Sequence, residues 1–171
     1  MHTHKKAMTK VYVALGSNIG HGVEVLEKAI QMMQQLAQGS INYSSFWKTE
    51  PVGMDDTDWF TNAVVEFDTR LGAFELLEAL QRIERASGRP SDHRKNSPRT
   101  LDLDIVSYGT EKLECRELKL PHPRAHDRLF VLLPLEELAP NFRFPGDDRI
   151  LATHIKNAAA IRMKKLANST K

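Results

Sequence analysis

Cysteine is nearly absent from this 171-residue chain: Cys115 stands alone. That excludes an internal disulfide and any cysteine-rich zinc site, and it suits a reducing compartment. Long apolar runs are missing too, so nothing approaches the roughly 20 residues that cross a bilayer. The first ten residues hold two His and three Lys with no apolar stretch behind them, which excludes the pattern of a secretory signal. Charge of one sign is scarce. A net charge of +2 argues against nucleic acid or an anionic membrane as a general partner. The G-x-x-x-x-G-K-[ST] phosphate cradle is also missing, so any phosphates must be held by side chains. There is no internal repeat, low-complexity tract or inter-domain linker. The expectation is a cytoplasmic protein in which residues 1–10 form a disordered leader and residues 11–171 a single domain.

What is present is periodic. Residues 11–15 (VYVAL), closed by Gly16-Ser17-Asn18, read as a buried strand ending in a turn. Apolar residues at 23, 26, 29, 30, 33 and 36 follow helical spacing, and Gly39-Ser40 ends that run. Residues 41–49 read as a second strand, residues 50–58 as an acidic loop, and residues 59–68 as a third strand. A helix from about Gly72 to Gly88 follows, then a polar loop over residues 89–97 and a strand over residues 101–107. Residues 112–120 look extended. Residues 128–138 look like a buried helix that Pro134 either kinks or starts, and residues 150–166 look like a basic terminal helix. The order β-α-β-β-α-β predicts an α+β domain of the ferredoxin-like, split-βαβ kind, with additional C-terminal helices.

The chemistry centres on residues 98–105, PRTLDLDI. As a strand this stretch alternates strictly: Leu101, Leu103 and Ile105 take one face, Asp102 and Asp104 the other. Two carboxylates about 6.5–7 Å apart along one face can converge on a shared cation or a cation pair. An all-oxygen site with two carboxylates suits Mg²⁺, which takes its other ligands from water and substrate phosphates. A solvated strand edge is the plain alternative for an isolated D-x-D. Cations crowd both sides of the strand in sequence. Arg82, Arg85, Arg89, Arg94, Lys95 and Arg99 precede it; Arg116, Lys119, Arg124 and Arg128 follow, with His93, His122 and His126 among them. Acids for Mg²⁺ beside two basic groups point to a nucleoside triphosphate. Phe60 and Phe130 offer a second theme. Packed in the core they are ordinary, but facing each other across a cleft they would sandwich a flat heterocycle, with the Asn62 amide at its edge.

Six segments then combine: ALGSN at 14–18, SSFWKTEPVG at 44–53, FTNAV at 60–64, IERASGR at 83–89, PRTLDLDI at 98–105 and LPHPRAHDRLFVLLPL at 120–135. In this order they resemble the 6-hydroxymethyl-7,8-dihydropterin pyrophosphokinase family of folate biosynthesis, over residues 11 to about 145. The resemblance implies transfer of pyrophosphate from ATP to the pterin's hydroxymethyl group, with release of AMP. It implies two Mg²⁺ ions on Asp102 and Asp104, with Arg99 and Lys95 joining them in catalysis. It places Thr49, Val52, Phe60, Asn62 and Phe130 at the pterin, and Gln81, Glu84, Arg89, Arg99, Ile105, His122 and Arg128 at ATP. The loops at 50–58 and 89–97 would close over the substrates. The partners implied are these two small molecules, with no nucleic acid and no membrane, acting on a monomer. Some members carry Arg-Trp-Gly where this chain has Lys95-Asn96-Ser97, Arg at Ser91 and Tyr at Pro123. Lys95 keeps the charge without the guanidinium fork, and Arg94 is a candidate to replace a missing loop cation. A catalytically weak pterin- or nucleotide-binding relative is the alternative, and an RNA-reading module a more distant one.

Overall fold

Alternation builds the sheet. In the computed structural model, which describes residues 6–18, 21–51, 59–87 and 101–167, the first strand is β1 (Thr9–Ser17). Its Val11, Val13 and Leu15 are buried on one face, and Tyr12 and Ala14 pack on the other. The chain continues through α1 (Gly22–Met33), β2 (Gln38–Tyr43), β3 (Trp47–Thr49), β4 (Phe60–Thr69), α2 (Ala73–Ala86) and β5 (Asp102–Tyr108). A two-stranded ribbon follows, β6 (Leu113–Glu114) with β7 (Lys119–Leu120), then α3 (Leu129–Leu138), α4 (Leu151–Asn157) and β8 (Met163–Lys165). The main sheet runs β5-β1-β4-β3-β8, with β2 also pairing β4, and its pairings are antiparallel. This is the split-βαβ order that the periodicities predict.

The two faces are covered differently. Leu26, Ala29 and Met33 of α1 and Leu76, Leu80 and Ile83 of α2 recur at steps of three and four, and they cover Val11, Val13, Leu15, Ala63, Val65 and Ile105. The start of α1 presses closely on β4: a Cβ on Gly22 would lie 2.2 Å from Thr61 Oγ1. Glu75 accepts from the Gly72 N–H at 3.2 Å and so satisfies a donor at the start of α2. On the second face, Val131, Leu132 and Leu135 of α3 and Leu151 of α4 cover Tyr12, Val64 and Val106. Pro134 sits inside α3, past its first turn, where it has no N–H to give the Phe130 carbonyl.

Three sequence expectations change. Thr9 and Lys10, assigned to the disordered leader, belong to β1, because they pair with Thr69 and Asp68. The Lys6 carbonyl also accepts from Arg70 Nη1 at 2.9 Å. The strand expected at 41–49 is broken into β2 and β3 by Ser44 and Ser45. Ser44 Oγ takes the Val64 N–H at 2.9 Å, and the Glu137 carboxylate accepts from the Ser45 N–H at 3.0 Å and Trp47 Nε1 at 2.8 Å. The basic terminal helix expected at 150–166 stops at Asn157. Beyond it the chain runs extended into β8, which gives the outer edge of β3 a partner that a longer helix could not supply.

Candidate active site

The register of three strands sets the site. Gly16 of β1 lies opposite Asp102 of β5 on one side and Asn62 of β4 on the other. One step further along the strands, Ala14 lies between Asp104 and Val64. Paired residues share a face, so two carboxylates and an amide stand on the face opposite α1 and α2. The two smallest side chains separate them. The result is a hollow, and it opens as a cleft of about 580 Å³.

Each wall has its own source. Asp102, half-buried, and Asp104, exposed, form the β5 side. Asn62, Thr49 and Phe60 form the other, and Phe130 of α3 faces into the same cleft. The Asn62 side chain is 6 % exposed and its Nδ2 donates to Thr49 Oγ1 at 2.6 Å, which fixes the amide plane. Gly16 leaves room for it: a Cβ there would meet Asn62 Oδ1 at 2.9 Å and push the amide aside. The Arg128 guanidinium lies 5.6 Å from the centre of the Phe130 ring, a cation–π arrangement that steadies both groups at the rim.

His122, Arg124 and Arg128 bring donors to the acidic side. Burial pushes the His122 imidazole below its usual range, while the neighbouring Asp104 pulls it back up and the charges of Arg128 and Arg124 push it down. Its Nδ1 accepts from the Arg124 N–H at 3.1 Å, so the neutral ring carries its proton on Nε2 as a free donor. The buried His154, in the core beneath α4, is likewise held below its usual range, chiefly by burial. Both rings refuse a proton that the unfolded chain accepts near pH 6.5, so acidification through that point favours unfolding. The urea midpoint should therefore fall between pH 7.5 and 5.5 with an unchanged slope. The double substitution His122→Gln and His154→Gln should flatten that drop.

Chemically, the paired carboxylates suit a hard divalent cation. Among the described residues no third His, Cys, Asp or Glu joins them in a metal-binding group. A cation held there would keep positions open for water and phosphate oxygens, which fits Mg²⁺ rather than a metal caged by protein ligands.

Of the residues expected at a site, the cleft brings together Asp102, Asp104, Thr49, Phe60, Asn62, Phe130, His122 and Arg128. Gln81, Glu84 and Ile105 do not line it: Gln81 is exposed on α2, Glu84 is buried on α2, and the Ile105 side chain is in the core beneath the helices. Val52, Arg89, Lys95 and Arg99 lie outside the described residues, as do Ser91, Arg94 and Asn96 of the 89–97 loop. The sequence reading assigned no part in the site to Ala14 and Gly16 of the floor, or to Asp127, Ala159 and Ile161 of the walls, and Glu50 entered it only as the start of the 50–58 loop. The floor had a signal, since small residues alternate with Val13 and Leu15. Ala159 and Ile161 had none.

A profile of the family described as 7,8-dihydro-6-hydroxymethylpterin-pyrophosphokinase (HPPK) matches residues 12–140. The 2-amino-4-hydroxy-6-hydroxymethyldihydropteridine pyrophosphokinase of Bacillus subtilis is 45% identical over 128 residues, 74% of this chain and 76% of its own. The enzyme of the same name from Haemophilus influenzae is 39% identical over 160 residues, covering 93% of this chain and 99% of that one. Among solved structures, a Plasmodium falciparum HPPK-DHPS superposes with a TM-score of 0.70 at 13% identity over 90% of this chain. This chain spans 46% of that protein's length, and the likeness speaks for the fold.

Proposed function

The chain belongs to the 7,8-dihydro-6-hydroxymethylpterin-pyrophosphokinase family, and on that premise we propose how its cleft serves the reaction. The enzyme transfers pyrophosphate from ATP to the hydroxymethyl group of 6-hydroxymethyl-7,8-dihydropterin in folate biosynthesis and releases AMP. The hydroxymethyl oxygen forms a bond to the β-phosphorus. The bond from that phosphorus to the oxygen bridging it to the α-phosphorus breaks, and AMP leaves with the electron pair. The hydroxyl proton passes to solvent. Transfers of this kind proceed through loose transition states that ask little of a base, so positioning and charge carry the rate.

Asp102 and Asp104 hold the metal-bearing triphosphate at one end of the cleft. Magnesium, two ions in this reading, supplies charge neutralisation across the phosphate oxygens when bound. His122 Nε2–H and the Arg128 and Arg124 guanidinium groups donate to those oxygens as negative charge moves toward AMP. At the other end Phe60 and Phe130 take the flat pterin between their faces, and Asn62, steadied by Thr49, bonds its polar edge. Val52 is assigned to the pterin by the same reading. Arg89, Arg99 and Lys95 are assigned to the nucleotide by the same reading, and Gln81, Glu84 and Ile105, which do not line the cleft, meet ATP only where it extends past it. The protein acts as a cytoplasmic monomer. Among the described residues no helix is long and apolar enough to cross a membrane.

The reading is carried by the cross-strand row Asp102–Gly16–Asn62, acids at one end and an amide at the other. Gly16→Ala probes its centre. The new methyl must displace the Asn62 amide, and the KM for the pterin should rise about tenfold while that for ATP holds. The reaction itself is tested by incubation with ATP, Mg²⁺ and the hydroxymethyl dihydropterin, followed by identification of both products. AMP with pyrophosphorylated pterin is expected; ADP would contradict pyrophosphoryl transfer, and salt-sensitive RNA binding without turnover would point to a different class.

A further inference from the structure

The segment from Ala159 to Lys165 lies beyond the residues that the family profile matches, yet it reaches the cleft. Ala159 and Ile161 line it. Between Ile161 and β8, Arg162 takes hold of two segments on the Phe60 side of the ring slot. Its backbone N–H donates to Glu50 Oε1 at 2.7 Å, its Nε donates to Glu50 Oε2 at 2.8 Å, and its carbonyl accepts the Glu50 N–H at 3.0 Å. The same guanidinium lies 5.4 Å from the centre of the Trp59 ring. Glu50 follows Thr49 directly, and Trp59 directly precedes Phe60. One residue therefore fixes the neighbours of two groups that face the ring.

The strand that follows reinforces this. Met163, Lys164 and Lys165 pair with Thr49, Lys48 and Trp47, and the Leu166 N–H donates to the Phe46 carbonyl at 2.8 Å. Lys165 Nζ lies 5.1 Å from the centre of the Trp47 ring. Thr49, the residue that orients the Asn62 amide, is thus held between β4 on one side and β8 on the other. Arg162 also holds the Glu50 carboxyl below its usual range through its side-chain hydrogen bond, so the pair is charged throughout the neutral range.

We propose that Arg162 is a positioning residue for the pterin: with Ile161 and β8 it forms a strap that ties the Thr49–Glu50 end of β3 to the Trp59–Phe60 start of β4 and so holds the wall that faces Phe130 in place. The proposal rests on the pterin reading of the cleft given above. The strap acts on one substrate. Asp102, Asp104 and His122 stand across the cleft, on β5 and the segment after β7, so the triphosphate end keeps its geometry when the strap is loosened.

The test is steady-state kinetics of Arg162→Ala, with AMP release as the readout and each substrate varied in turn. The KM for the pterin should rise about fivefold, the scale of one exposed ion pair lost together with its ring contact, while kcat and the KM for ATP stay within about twofold. Glu50→Arg combined with Arg162→Glu restores the pairing with its polarity reversed, and it should recover part of the pterin affinity that either single change loses. If Arg162→Ala does not fold, the same split is read on Arg162→Lys, which keeps the charge and loses the fork. An unchanged pterin KM, or equal rises in both KM values, overturns the proposal. Failure of the pterin reading is seen separately, as a wild-type enzyme that releases no AMP.

Discussion

Asp102→Ala should lower kcat about a thousandfold or more while the protein stays folded, because on the proposed reading it removes half of the carboxylate pair that would hold the metal-bearing triphosphate. Asp102 is half-buried and Asp104 exposed, and both line the cleft, so neither is a large contributor to core packing. Asp102→Asn separates charge from shape: it keeps the size of the side chain but loses the anion. The two variants should be impaired to a similar degree, with Mg²⁺ dependence shifted to higher concentration. Adding Asp104→Ala to either should cost much less than its effect in the wild-type background, since the two carboxylates act on one partner. Circular dichroism and urea unfolding check that the fold survives. Near-normal turnover in a folded Asp102→Ala protein would remove the metal assignment.

Asn62→Leu should reduce kcat/KM for the pterin by about 10²–10³ and leave nucleotide binding intact. Leucine keeps the branched four-atom skeleton of asparagine, so the loss is chiefly chemical. Both polar atoms of the amide vanish, and the Thr49 hydroxyl, which receives Nδ2 at 2.6 Å and is 2 % exposed as a residue, is left buried without that donor. Isothermal titration with the pterin and with an ATP analogue distinguishes the two ends of the cleft. Equal weakening of both ligands would show that Asn62 supports the whole site instead of one substrate.

How much of this was legible depends on how local each feature is. The strict alternation of Leu101, Leu103 and Ile105 with Asp102 and Asp104 specifies a strand and its two faces within a few residues, and β5 begins at Asp102 and carries the last four, with Leu101 buried just before it. The helical spacing of Leu26, Ala29 and Met33 and of Leu76, Leu80 and Ile83 is equally local, and α1 and α2 follow it. The opposition of Gly16 to both Asp102 and Asn62 is not local. It needs the pairing register of three strands, which no single stretch of sequence contains, and so the floor of the cleft stayed hidden in the middle of ALGSN.

The errors share that cause. Ser44 and Ser45 break the second strand because Glu137, on α3, captures the Ser45 N–H and the Trp47 indole from far along the chain. The alanine-rich run after Asn157 favours a helix by propensity. It is extended because β3 offers an unpaired edge and Glu50 offers a carboxylate to Arg162, and tertiary pairing outweighs a preference worth tenths of a kcal/mol per residue. The same pairing makes the last stretch of the described chain part of the site.

The most direct measurement is a crystal structure of the enzyme with Mg²⁺, the hydroxymethyl dihydropterin and an ATP analogue whose α,β-bridging oxygen is replaced by methylene, so that the bond to be broken is inert. It should place metal on the carboxylates of Asp102 and Asp104, the pterin ring between Phe60 and Phe130 with its edge on Asn62, and the hydroxymethyl oxygen in line with the β-phosphorus. Metal bound away from both aspartates, or a ring seated outside the hollow above Gly16, would contradict it.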